Sequence, residues 1–118
     1  MYNIILDTSF VLTCIKFKID IFREIERISN FNYEISIIDR SIGEFKRKKD
    51  GKLAVDLLMK KNVKVINASE DKIVDDLIVN LANNDKNVVV ATQDIGLRSR
   101  LTENKIITIK QKSHLILI

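Results

Sequence analysis

The sequence predicts a single α/β domain built on an open, doubly wound parallel sheet of about five strands with helices on both faces. Three observations predict it. Short apolar runs of strand length recur at Ile4–Leu6, Tyr33–Ile38, Val63–Ile66, Val88–Ala91 and Ile106–Ile109. Segments of amphipathic helical spacing separate them, which is the alternation of a parallel sheet. The chain has 118 residues, enough for one hydrophobic core and too few for two, so residues 1–118 read as one domain.

Each element has its own signal. Ile4-Ile5-Leu6 stops at the polar Asp7-Thr8-Ser9 and reads as a buried strand entering a loop. Phe10 to Phe17 follows as a short helix with Ser9 or Thr8 as its cap. Asp20 caps a second helix, whose Ile21, Phe22, Ile25 and Ile28 share one face opposite Arg23, Glu24, Glu26 and Arg27. After the second strand, Asp39 reads as the cap of a helix carrying Ile42, Glu44 and Phe45. Asp50-Gly51 breaks it, and Leu53, Leu57 and Leu58 mark another helix to about Lys61. Beyond the third strand, Ser69 reads as the cap of a helix beginning near Glu70, with Ile73, Leu77, Ile78, Leu81 and Ala82 as its apolar positions. Val88–Ala91 is continuously apolar, as a central parallel strand should be. Asp94 can cap a short basic helix, Ile95–Leu101, before the fifth strand. Leu115–Ile118 reads as a last edge strand or a loosely tied tail.

Composition excludes several classes. With 46% hydrophobic and 31% charged residues, the chain is neither disordered nor fibrous. A lone cysteine, Cys14, rules out an internal disulfide, fits a reducing cytoplasm and reads as a small buried apolar residue. No run reaches the roughly 18 apolar residues of a membrane span, and no signal peptide is evident. The net charge of +4 permits a polyanionic partner without requiring one.

The chemistry lies in the acids. Open parallel sheets bind ligands beyond the C-terminal ends of their strands. Asp7 directly follows the first strand and Asp94 lies just past the fourth, so neighbouring strands would bring both to one crevice. Glu44 and Asp75 sit on helices that could line it. Two carboxylates about 4 Å apart repel by roughly 4 kcal/mol at an effective dielectric near 20, so such a cluster takes up protons or a cation. An all-oxygen set suits Mg²⁺ or Mn²⁺, and the single His114 and Cys14 offer no zinc set. The plainer reading makes Asp7 and Asp94 helix caps and leaves Asp75 beside Asp76 in solvent; for Asp7 and Asp94 the two readings are compatible. Rival sites lack their defining residues: Thr8 stands where a receiver domain needs a second acid, and Ser9 where a dehalogenase-like phosphatase needs one. There is no glycine-rich phosphate loop.

These segments, in order, resemble the PIN-domain family of compact α/β nucleases. Ile5-Leu6-Asp7-Thr8-Ser9 is similar to its first motif, Ser41-Ile42-Gly43-Glu44-Phe45 to its Glu-bearing helix, and Val88-Val89-Val90-Ala91-Thr92-Gln93-Asp94 to its strand ending in Thr-x-Asp. In the third segment, Ile78 and Ala82 select Asp75 as the acid, with Asp76 the runner-up. The resemblance implies that Asp7, Glu44, Asp75 and Asp94 hold one or two Mg²⁺ or Mn²⁺ ions. It implies supporting roles for Ser9, which orders the loop, and Thr92, which holds a carboxylate or contacts phosphate. The expected activity is metal-dependent endoribonuclease. The Ala-Thr-Gln-Asp segment with Leu97, Arg98 and Arg100 is similar to the archaeal ribosomal-RNA-processing branch, although Gly96 stands where that branch often carries a further Asp, implying a leaner site. A toxin ribonuclease of a toxin–antitoxin pair, and a catalytically silent scaffold that binds RNA or protein, are the alternatives.

The resemblance implies RNA as the partner and admits a homodimer, an antitoxin or a ribosome-assembly factor; no membrane is implied. Arg47, Lys48 and Lys49 follow Glu44, and Arg98 and Arg100 follow Asp94. They read as a basic rim that holds RNA phosphates around an acidic centre. The lysine run also reads as a solvated helix end. Aromatics make up only 6% of residues, which argues for core or dimer packing over a base-stacking platform.

Overall fold

The computed structural model describes residues 1–68 and 72–118. In chain order the elements are β1 (Tyr2–Leu6), α1 (Thr8–Lys16), α2 (Ile21–Ile28), β2 (Tyr33–Ile38), α3 (Asp39–Lys46), α4 (Gly51–Lys60), β3 (Lys64–Ile66), α5 (Val74–Asn84), β4 (Val88–Ala91), α6 (Ile95–Ser99), β5 (Ile106–Lys110) and β6 (His114–Leu117). The strands form a sheet of order β3-β2-β1-β4-β5-β6. The first five are parallel, and β6 is antiparallel to β5. The sequence reading expected about five parallel strands; the sixth is an added edge. Its Leu115 is fully buried, so this end of the chain is tied into the sheet.

Strand alternation divides the core in two. Ile4, Leu6, Val89 and Ala91 point to the face covered by α1 to α4, where Phe10, Cys14, Ile25, Phe45 and Leu58 are all fully buried. Ile5, Val88 and Val90 point to the other face, against Val74, Leu77, Ile78 and Ala82 of α5 and Leu97 of α6. Each large side chain buried this way contributes about 1.5–3 kcal/mol of transfer free energy. Burial pushes the Cys14 thiol up to about 12, consistent with an inert core residue.

Several local expectations are corrected. The cap of α1 is Asp7, not Ser9 or Thr8, and its carboxylate makes no capping bond because it turns to other hydroxyls. Asp39 is the first residue of α3 rather than its cap; its side chain accepts instead from Ala68 N at 3.3 Å. Leu53 is 56% exposed, since α4 buries Ala54 and Leu58. Ile73 is likewise exposed, just before α5. The expected cap Ser69 and helix start at Glu70 lie outside the described residues. The short basic helix closes at Ser99 rather than Leu101. Asp20 does cap α2, accepting from Arg23 N at 3.2 Å.

The break between α3 and α4 has a steric cause. Asp50 takes a left-handed φ of 64°, and a Cβ on Gly51 would lie 1.5 Å from the Phe45 carbonyl oxygen. Only glycine permits that approach. Away from the C-terminal edge of the sheet, Tyr2 and Phe31 stack with ring centroids 4.4 Å apart, and Tyr33 meets Phe31 edge-on. No helix among the described residues is long and apolar enough to cross a membrane.

Candidate active site

Register decides which side chains meet. Leu6 pairs with Ala91, so β1 and β4 end together. Asp7 N extends the ladder to the Ala91 carbonyl at 3.0 Å, and Thr92 N does the same to Ile107 at 3.0 Å. Asp7 and the Thr92-Gln93-Asp94 turn therefore emerge side by side at the C-terminal edge, where open parallel sheets place their ligands.

Asp7 is 5% exposed. Its Oδ2 accepts from Thr92 Oγ1 at 2.8 Å and from Ser9 Oγ at 3.2 Å. Thr92 Oγ1 also accepts from Asp94 N at 3.1 Å, so one buried hydroxyl links the Asp7 carboxylate to the Asp94 backbone. Asp94 Oδ1 accepts from Leu97 N at 3.1 Å and caps α6. Glu44, on α3, accepts from Thr8 Oγ1 at 2.6 Å. Asp75 lies in the first turn of α5.

Asp7, Glu44, Asp75 and Asp94 line one cleft of about 390 Å³, together with Thr8, Ser9, Leu12, Thr13 and Lys48. Asp76 turns away and pairs with Arg100 at 3.0 Å, which separates the two neighbouring acids by direction. Electrostatics reflect the crowding. Burial raises the Asp7 carboxyl, the Asp75 charge adds to it, and the Thr92 and Ser9 hydroxyls oppose it. Burial also raises Asp75, followed by the charges of Asp94 and Glu44, with Arg100 opposing. A buried carboxylate facing others is stabilised by a cation or a proton.

That donor set is oxygen-only, and neither Cys14 nor His114 lines the cleft, so in chemical type it fits Mg²⁺ or Mn²⁺. Among the described residues, however, no three Asp, Glu, His or Cys side chains stand close enough to hold one ion. The hydrogen bonds explain the spacing: each of Asp7, Glu44 and Asp94 is tied to its own hydroxyl or amide.

The basic residues divide. Lys48 lines the acidic cleft, and Arg47 lines a neighbouring one. Arg100 stands at the rim, paired to Asp76. Arg98 borders a separate depression with Ile95 and Ile118, and Lys49 is exposed after α3. Sequence reasoning missed Thr8 as a site residue, because a hydroxyl after a strand reads first as a helix cap. It also missed Gln93, whose side-chain oxygen accepts from Thr108 Oγ1 and from Ile109 N, the latter at 2.5 Å. Since β4 ends at Ala91, that amide lies past its partner strand, and Gln93 completes the ladder. Gly96 sits close to the site: a Cβ there would lie 3.2 Å from Asp94 Oδ1.

Comparison with known proteins agrees with this architecture. The chain is 36% identical over 125 aligned residues to ribonuclease VapC4 of Methanocaldococcus jannaschii, covering 97% of this chain and 95% of that protein. Its fold is similar to that of the PIN domain endonuclease Utp24, with a TM-score of 0.87 at 21% identity, covering 98% of this chain and 90% of that one. It is also similar to a chain of VapBC-1 from nontypeable Haemophilus influenzae, with a TM-score of 0.54 at 14% identity and coverage of 88% and 96%. The family model described as a PIN like domain matches residues 4–113, so with its parallel sheet and acid-lined edge this chain belongs to the PIN-like domain family.

Proposed function

We propose that residues 1–118 form one nuclease domain that acts as a divalent-metal-dependent endoribonuclease of the toxin type, restrained by an antitoxin. The observation that carries the hydrolytic reading is the convergence of Asp7, Glu44, Asp75 and Asp94 on one cleft at the β1–β4 edge. The toxin reading is favoured over ribosomal-RNA maturation by the near full-length relative named ribonuclease VapC4. The likeness to Utp24 speaks to the fold.

In this reading Asp7, Glu44, Asp75 and Asp94 would hold one or two Mg²⁺ or Mn²⁺ ions, drawing closer on binding than the spacing found here, at which no three of the described acids could share one ion. A bound ion supplies positive charge that acidifies water and offsets the phosphoryl oxygens. The chain's own residues orient the acids. Thr92 and Ser9 donate to Asp7 Oδ2, which fixes that carboxylate and offsets part of the burial that opposes its ionisation. Thr8 fixes the orientation of the Glu44 carboxylate through its own hydrogen bond. Asp76 acts at one remove, by holding Arg100 beside Asp75. Lys48 in the cleft, Arg47, Lys49 and Arg100 around it, and Arg98 on a separate depression further along the strand's path would neutralise RNA phosphates.

The test is cleavage of single-stranded RNA with Mn²⁺ by the natural chain and by Asp94→Asn. The reading expects cleavage leaving 5′-phosphate ends, at least about a hundredfold slower in the variant. Equal rates in both would remove Asp94 from the site. The toxin role predicts growth arrest on expression of the natural chain alone and none with Asp7→Asn.

A further inference from the structure

A second cleft, of about 510 Å³, lies beside the acidic one. Arg40 and Gly43 of α3 and its C-cap Arg47 line it on one side, and Lys72 and the first residue of α5, Val74, on the other. The first three lie at i, i+3 and i+7, one stripe of the helix. Glu44 and Lys48, on the adjacent stripe, line the acidic cleft, and Glu44 lines both. The two clefts are thus the two flanks of a single helix, with Glu44 on the crest.

The second flank has an exposed guanidinium, that of Arg47, and a gap. Arg40 reaches across and donates to the Lys72 carbonyl oxygen at 3.1 Å. Arg47 is exposed at the end of α3. Between them Gly43 leaves the wall bare, and a Cβ added there would meet nothing within 4 Å. Glycine in a helix interior is destabilising by roughly 0.5–1 kcal/mol relative to alanine, and neither its φ nor any close neighbour requires it here. Asp39 also borders the cleft, but its carboxylate accepts from Ala68 N.

We propose that this flank is a subsite for the RNA strand: a backbone phosphate next to the one at the acids lies over Gly43, against Arg47. The strand then crosses α3 at Glu44, which fixes its path relative to the four acids. The inference rests on the ribonuclease reading and adds the route of the substrate. An RNA strand suits the feature because the cationic flank is continuous with the acidic cleft, and a polyanion with regularly spaced charges can occupy both at once.

The experiment measures binding without cleavage. A fluorescein-labelled, mixed-sequence single-stranded oligoribonucleotide is titrated in EDTA with the natural chain, Gly43→Gln and Arg47→Gln. Gly43→Gln fills the gap with a neutral side chain of better helix propensity, so its melting temperature should be equal or higher. Both variants should bind about tenfold more weakly, and Arg47→Gln should flatten the log–log salt slope by about 0.7. Unchanged RNA affinity in both variants would overturn the subsite. So would displacement of the RNA by poly-glutamate at equal charge concentration, which would mark the flank as a seat for an acidic protein segment. Cleavage by the natural chain with unchanged variant affinities would reject the subsite and leave the nuclease reading standing. Weakened variants with no cleavage by the natural chain would keep the subsite and reject hydrolysis.

Discussion

Thr8 Oγ1 donates to Glu44 Oε1 at 2.6 Å, joining the first residue of α1 to the middle of α3 across 36 positions of sequence. Thr8 is 5% exposed, so the bond is screened on its donor side. Thr8→Val keeps the shape and removes the donor. We expect a stability loss of about 1 kcal/mol and RNA cleavage reduced about tenfold, read by thermal melting and initial rates. Unaltered cleavage would show that Glu44 needs no such anchor.

Asp75 carries a raised carboxyl because burial and the charges of Asp94 and Glu44 oppose its ionisation. The folded state therefore holds the proton to higher pH than the unfolded chain does. Stability without divalent ions should fall as pH rises from the ordinary value of 3.8 through the raised one. Asp75→Asn should flatten that fall and raise the melting temperature in EDTA at neutral pH by a few degrees, while abolishing cleavage. Mn²⁺ should stabilise the natural chain more than the variant; equal stabilisation of both would detach Asp75 from ion binding.

Glu24 shows the opposite sign. The Arg27 guanidinium holds its carboxyl down to about 2, with the Leu115 amide adding to the effect. Glu24 Oε1 accepts from Leu115 N at 2.9 Å, and Arg27 Nη2 donates to the Leu115 carbonyl at 2.9 Å. The pair thus closes a backbone position on the outer side of β6. Its contribution is complete above the ordinary value of 4.5 and disappears as pH falls through about 2. Glu24→Gln should speed amide exchange at Leu115 at neutral pH and leave exchange in β1 unchanged.

Gly51→Ala tests the α3–α4 break. A methyl group 1.5 Å from the Phe45 carbonyl oxygen cannot be accommodated without moving backbone, and Phe45 is fully buried. A loss of about 3 kcal/mol or more is expected, read as a collapse in melting temperature. Gly43→Ala, with open space around it, should instead stabilise by about 0.5–1 kcal/mol.

Much of this fold was legible because its signals are local. The runs at Ile4–Leu6 and Val88–Ala91 end in Asp7 and Thr92-Gln93-Asp94, and strand ends of a parallel sheet share an edge. The four acids singled out from sequence do line one cleft. The choice of Asp75 over Asp76 came from a family pattern; in the fold the two side chains part, one toward the cleft and one to Arg100. What could not be read depends on tertiary partners. Nothing near Thr8 in sequence announces Glu44, and nothing near Gln93 announces the Ile109 amide that its side chain accepts from. Leu53 and Ile73 misled because helical spacing identifies a stripe without saying which neighbour covers it.

The bond from Thr92 to Asp7 spans 85 positions, and β1 lies between β2 and β4 in the sheet. The hydroxyl that orients Asp7 is therefore carried by a segment far downstream of it in the chain. A chain cut before β4 lacks Thr92 and Asp94 and cannot assemble the edge that the four acids line. In the ribonuclease reading proposed above, cleavage is then tied to the presence of β4, and a chain cut before it is inactive for want of the edge itself.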